Sequence, residues 1–249
     1  MKPVRLLSLA CTVPLALAAA ALVAAPPAIS VKRETPLYEF EYSYPPAAAA
    51  IPGLRARLEA DRAQRLAKLT ADARNGQAEA KKGGFPFHRY SWSQTWQVVA
   101  SPPGWLSLSA AYWNYTGGAH GMSWSGAMLW DRKANLPRNP LDLFTSKAAL
   151  AQAIRAPFCA ALNRARIAKR GGTIKPGSTE MFEECIDPLK QTVLLGSKSK
   201  LAFDRIGILI APYEAGPFAE GGYEVTLPMT PAVLAAVRPG FRRSFAVGR

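Results

Sequence analysis

The stretch 92–131 constrains the fold more than any other part of the chain. Three runs rich in aromatic and other strand-forming residues, 92–100, 105–115 and 123–131, are separated only by Pro102-Pro103-Gly104 and by a turn containing Gly117-Gly118. Connections this short join antiparallel neighbours, because a parallel pair needs a long crossover. A β-meander is expected here.

The flanks read differently. Residues 37–44 alternate, with Tyr38, Phe40, Tyr42 and Tyr44 on one face, which marks a half-buried strand ended by Pro45-Pro46. From 51 to 72 the period lengthens. Leu54, Leu58, Leu66 and Leu69 share a side, and Glu59–Arg62 and Asp61–Arg65 are helix-spaced ion pairs, each worth about 0.2–0.5 kcal/mol. This is an amphipathic surface helix, expected to close at Asn75-Gly76, with 81–84 as a solvated loop. Beyond the meander Pro137 and Pro140 break the chain. Ser146 then caps a helix to Arg170 that is apolar along Ala149, Ile154, Phe158 and Leu162, kinked at Pro157 and stopped by Gly171-Gly172. Strands are expected over 191–195, 201–203, 206–213 and 223–227, and Thr230-Pro231 opens a short last helix. Helices come singly between runs of strands. The fold class is α+β: a mainly antiparallel sheet with flanking helices, one domain over 29–249.

Residues 1–28 read as an address rather than as structure. Lys2 and Arg5 precede an apolar run from Leu6 to Ala25 that ends in small residues before Pro26-Pro27, the layout of a secretory signal peptide. Retention as an N-terminal membrane anchor is the alternative, and Cys11 is a weak match to a lipoprotein acylation site. No further membrane span is expected. Export to the periplasm or the medium makes Cys159 and Cys185 an even pair in an oxidising compartment, and a bridge between them would contribute about 3 kcal/mol.

Four pieces, in order, carry a resemblance. They are the aromatic strand 38–44 before a helix, Tyr115-Thr116-Gly117-Gly118-Ala119-His120-Gly121 at a strand end, Leu141-Asp142-Leu143-Phe144 before the next helix, and Ala211-Pro212-Tyr213-Glu214-Ala215-Gly216-Pro217-Phe218-Ala219 with Tyr223-Glu224-Val225 behind it. Over 37 to about 240 the chain resembles the PdaC/RsiV-like extracytoplasmic domain, an accessory domain of a peptidoglycan deacetylase and the lysozyme-sensing part of an anti-sigma factor. The resemblance implies an α+β domain with antiparallel sheet. It does not bring the deacetylase's metal-dependent catalytic residues, since no Asp-Asp with a His-x-x-x-His pair is found.

The candidate ligand-binding residues are Tyr115, Thr116, Gly117, Gly118 and His120 in the first turn, with Tyr213 and Glu214 in the later segment. Glycines beside Tyr and His can make a turn that holds a polar group, or simply a tight turn. No catalytic set, metal centre or cofactor is expected: the chain has two His and three Cys, and Gly121-Met122-Ser123-Trp124-Ser125-Gly126 misses nucleophile-elbow spacing. Trp92, Trp96, Trp105, Tyr112, Trp113, Trp124 and Trp130 read either as core or as a carbohydrate platform. The formal net charge is +14, or +12 without Lys2 and Arg5, and Arg155, Arg164, Arg166, Lys169, Arg170, Lys198, Lys200, Arg238, Arg242 and Arg243 concentrate it. That charge suits anionic envelope polymers, would repel a basic lysozyme, and has no nucleic acid to meet outside the cell. The expectation is an exported non-catalytic envelope-binding module for glycan, peptidoglycan or an exported protein. The alternatives are an envelope-glycan hydrolase or deacetylase, or a lysozyme-type sensing domain.

Overall fold

The computed structural model describes residues 28–175 and 177–248. The expected leader, with Cys11, lies outside the described residues but for Ala28. Among the described residues nine strands form two sheets. The larger has the order β1-β2-β3-β4-β5-β6, built from β1 (Ile29–Glu34), β2 (Tyr38–Tyr44), β3 (Tyr90–Ala100), β4 (Trp105–Tyr115), β5 (Met122–Asp131) and β6 (Leu136–Arg138). The smaller is β7 (Thr192–Gly196), β8 (Arg205–Ile210) and β9 (Tyr223–Pro228). Every pair is antiparallel except β2 with β3, where Phe40 faces Trp92 and Tyr42 faces Gln94. The fold is α+β and mainly antiparallel, as its sequence implies.

The parallel pair exists because a short turn of helix, α1 (Pro46–Ala49), and the long α2 (Pro52–Gly83) carry the chain back between β2 and β3. α2 passes straight through Asn75-Gly76 instead of ending there. Glycine at 76 serves a close approach: a Cβ would stand 2.2 Å from the Tyr90 hydroxyl, so the ring packs on bare helix backbone. The stop comes at Gly84, whose φ of 72° is the left-handed conformation glycine tolerates, and Lys81 and Lys82 occupy the last turn, where the helix dipole favours cations.

Strand alternation sends side chains to two cores. Toward α2 point Tyr38, Phe40, Tyr42 and Tyr44 of β2, Trp96, Leu106, Leu108, Ala110 and Trp130, which bury Leu54, Leu58 and Leu69 of the helix. The polar side of α2 also reaches inward. Asp61 accepts the Tyr42 hydroxyl at 2.9 Å and the Gln94 amide at 2.8 Å, and Glu59 accepts the Tyr44 hydroxyl. Burial first, then Glu59, pushes the Tyr44 phenol up to about 12. Both expected ion pairs form, Glu59–Arg62 and Asp61–Arg65.

On the opposite side Ala100, Trp105 and Leu129 meet the small sheet and α3 (Lys147–Arg170). A bulge between Val98 and Ala100 turns Ala100 onto that face. The Ser146 hydroxyl caps α3 through the Ala149 N–H at 3.0 Å, while the buried stripe is Leu150, Ile154, Phe158, Leu162 and Arg166; Ala149 is only half-buried. The strand expected over 201–203 reduces to one bridge, Phe203 to Phe245. Thr230 caps the last helix, α4 (Pro231–Ala235).

Candidate functional site

β4 and β5 form a hairpin whose connection is the glycine-rich turn. Tyr115 ends β4 opposite Ser91 and is half-buried. Gly117 has φ 93° and lies near His88 and Tyr90 on the α2 side, and Thr116 leans the same way; Gly118 stands in open space. His120 goes to the other side. Gly121 follows it as glycine because the Trp113 ring lies flat on its backbone, with a Cβ there only 2.2 Å from the indole.

His120 is exposed. Its Nδ1 donates to the Gly121 carbonyl at 3.0 Å, since a carbonyl can only accept. Nε2 faces the Tyr213 hydroxyl at a long 3.4 Å, and in the neutral ring it is the acceptor. The imidazole stacks on Phe218 with centroids 4.0 Å apart and planes at 21°, and Tyr213 meets Phe218 at 5.5 Å. Two segments 93 residues apart thus put three rings in contact on the surface. Tyr115, Thr116, Gly117 and Gly118 do not join this cluster. Glu214, also exposed, turns toward Gln191, whose amide it accepts at 3.3 Å.

The loop carrying Tyr213 and Phe218 is fastened from behind. Tyr213 has φ 72°, rare for a bulky residue, and is 48% exposed. Its N–H donates to the Gly216 carbonyl at 3.1 Å. Two residues on, the Ala215 carbonyl accepts from Arg166 Nε at 2.9 Å and from Arg170 at 3.1 Å. Arg166 is fully buried and also donates to the Glu183 and Glu184 carbonyls, each at 3.0 Å. Burial lowers its pKa, with Arg170 adding to that. Arg170 forks onto the Glu220 carboxylate at 2.8 and 3.0 Å, which raises the guanidinium and lowers the carboxyl. Lys169 donates to the Glu220 and Gly222 carbonyls and lies 4.0 Å over the Tyr223 ring. The Cys159–Cys185 disulfide ties α3 to the segment supplying the 183 and 184 carbonyls.

This corrects the reading of the second helix at Arg166, which is buried, and in part at Arg170, whereas Arg155, Arg164 and Lys169 stay exposed on a cationic surface. Arg155, Arg166, Lys169 and Arg170 each donate to backbone carbonyls of neighbouring loops, as Arg238 and Arg242 do elsewhere. Arg166 looks solvated in sequence because nothing local reveals that carbonyls from two distant loops converge on it.

The seven aromatics divide by strand face. Trp96, Trp105 and Trp130 are core. Trp92, Tyr112 and Trp124 gather beside α2, Tyr112 stacked on Trp124 at 5.2 Å and 15°, with Trp92 edge-on to Trp124 at 5.6 Å. Trp113, 39% exposed, points the opposite way, toward Gly121 and the His120 side. Phe218 stands in the 211–219 motif with no role that the sequence alone assigns; its spacing after Tyr213 is the one signal that points to it. Among the described residues no three His, Cys, Asp or Glu side chains converge as a metal site would require.

Comparison with known proteins agrees with the resemblance. Residues 31–123, from β1 through the His120 turn into β5, match the family model described as deacetylase PdaC. Two crystal structures share the fold. One is a DUF3298 family protein from Pseudomonas aeruginosa PAO1, with TM-score 0.54, 16% identity, and coverage of 90% of this chain and 97% of that one. The other is a DUF3298 family member from Bacteroides fragilis, with TM-score 0.51, 18% identity, and coverage of 81% and 89% respectively. No curated protein matches the chain.

Proposed function

We propose that this chain is an exported, non-catalytic binding module of the cell envelope that engages wall glycan at the His120–Tyr213–Phe218 cluster. The carrying observation is the stack of His120 on Phe218 at 4.0 Å in the open, beside a Tyr213 held at positive φ. A strained, exposed aromatic residue braced by a buried arginine is an arrangement that presents a side chain rather than one that hides it. Ring faces accept the apolar faces of sugars, while His120 Nε2 and the Tyr213 hydroxyl supply polar edges. The Cys159–Cys185 bridge supports an oxidising compartment, and among the described residues no helix is long and apolar enough to cross a membrane.

Sedimentation with purified insoluble peptidoglycan tests the reading. Folded protein should co-sediment at low salt, and Tyr213→Ala or Phe218→Ala should weaken retention about fivefold to tenfold, as loss of one aromatic contact implies. Wild-type protein left in the supernatant would refute it. The description of the matched family favours a second reading, deacetylation of wall glycan. Acetate release from wall fragments, abolished in His120→Ala with the fold intact, would establish that one instead.

A further inference from the structure

The end of α2 carries an apolar point flanked by cations. The N–H groups of Gly84 and Phe85 both donate to the Ala80 carbonyl, the second at 3.1 Å, and fasten the backbone of Phe85 in place. Its ring lies along bare helix backbone, since a Cβ at Gly83 would stand 2.5 Å from it. Pro86, which has no N–H, follows and is exposed. Phe87 then turns back, half-buried, with its ring 5.4 Å from Tyr90. Phe85 is 57% exposed. Closure of a helix by glycine commonly brings an apolar residue after it to contact the last turn. Phe85 lies beside Ala80 in that way, yet more than half of it stays in water, an excess that capping does not use.

Over 73–90 the basic residues Arg74, Lys81, Lys82 and Arg89 face one acidic residue, Glu79. Arg89 pairs with Glu39 of β2. The side chains of Arg74, Lys81 and Lys82 are exposed and make no hydrogen bond or ion pair with any described residue. The helix dipole accounts for the two lysines of the last turn but not for Arg74, more than a turn before them. Arg74 and Lys81 share a hollow with Phe85, and His88 and the uncharged Thr116-Gly117 turn lie on its other side. Met122, 40% exposed, opens β5 at the same end of the sheet, opposite Asn114.

We infer that this end of the molecule docks on an anionic phospholipid bilayer. Phe85 enters the boundary between headgroups and acyl chains, and Arg74, Lys81 and Lys82 meet lipid phosphates. Each cation near such a surface adds attraction that falls off within a Debye length. A free phosphate would leave Phe85 in water. A protein partner would find no side-chain donor or acceptor at Gly83, Gly84 or Pro86 to read, whereas a fluid surface needs none. One ring and three free cations give weak, reversible attachment rather than insertion. The inference is independent of the proposed wall-binding site and uses none of its residues.

The test sediments the folded protein with vesicles of equimolar phosphatidylcholine and phosphatidylglycerol, and with vesicles of phosphatidylcholine alone. The mixed vesicles should retain far more protein, and salt at about 1 M, where the Debye length is about 3 Å, should release it. Lys81→Gln and Lys82→Gln should each lower the partition coefficient about fivefold. Phe85→Ser should lower it at least as much. Phe85→Trp should keep the binding and add fluorescence quenching, beyond that of the wild type, when the phosphatidylcholine chains are brominated. All the proteins share one chain apart from position 81, 82 or 85, so the differences report on this end alone. Equal retention on the two kinds of vesicle, partitioning unmoved by Phe85→Ser, or no added quenching from residue 85 would overturn the inference. Phe85→Ser should leave sedimentation with peptidoglycan unchanged, so either reading can fail alone.

Discussion

The buried guanidinium of Arg166 donates to the Ala215 carbonyl at 2.9 Å, and this bond sits two residues behind the surface ring of Tyr213. A charge with no exposed area thereby holds an exposed loop. Arg166→Met should cost about 3 kcal/mol of unfolding free energy, because the carbonyls of Ala215, Glu183 and Glu184 lose a charged donor at once. Arg166→Lys should not restore it, since one ammonium cannot reproduce the planar fork. Urea unfolding measures the cost. Hydrogen exchange at the Tyr213 amide, bonded to the Gly216 carbonyl, should speed up in both variants.

Reduction of the Cys159–Cys185 bridge, or Cys159→Ser with Cys185→Ser, should lower stability by about 3 kcal/mol. The bridge and Arg166 secure the same segment at 183–185, so their effects should not add. A double-mutant cycle should return a coupling of about 0.5 kcal/mol or more. Strict additivity would show that the two fasten independent parts.

Asp204 provides a pH dependence. Burial opposes its charge, but the N–H groups of Lys198 and Ser199 and the Arg205 guanidinium outweigh burial and hold the carboxyl at about 2. A carboxyl depressed on folding stabilises the fold above its unfolded value and ceases to do so as pH falls toward the folded one. The stability advantage of the wild type over Asp204→Asn should therefore be full above about pH 4 and fade toward about pH 2, with a pH-dependent part of about 2 kcal/mol. Denaturant midpoints across that range are the measurement, and a constant difference would contradict the assignment.

Gly76 and Tyr90 make a signed test. Alanine is favoured over glycine inside a helix by about 1 kcal/mol, so an isolated α2 would gain from Gly76→Ala. In the folded protein the new methyl meets the Tyr90 hydroxyl, and the substitution should destabilise. With Tyr90→Ala already present, the same change should stabilise by about 1 kcal/mol. Thermal unfolding of the four proteins decides it.

The same residues explain how much of the fold was legible in advance. The meander over β3, β4 and β5 could be read because its turns are written in Pro and Gly, residues whose effect is local. Asn75-Gly76 carries the same local signature, yet there the glycine answers a tertiary demand from Tyr90. The β2–β3 pairing was hidden for a similar reason, since only the path of α2 makes it parallel. His120 and Tyr213 could be picked out as motif residues, but their meeting at Phe218 depends on how the two sheets are set against each other. Arg166 was the hardest to place: the α3 period marks position 166 as inward, and its charge argues the reverse until the 183–184 and 215 carbonyls arrive.

Tyr112 and Trp113 are neighbours in one strand, and their side chains leave it in opposite directions. The stacked Tyr112–Trp124 pair and the His120 ring cluster therefore stand back to back, a single backbone thick, near the free end of one hairpin. A displacement of that end carries both aromatic surfaces with it, so a fluorescent tryptophan on one side senses an event on the other.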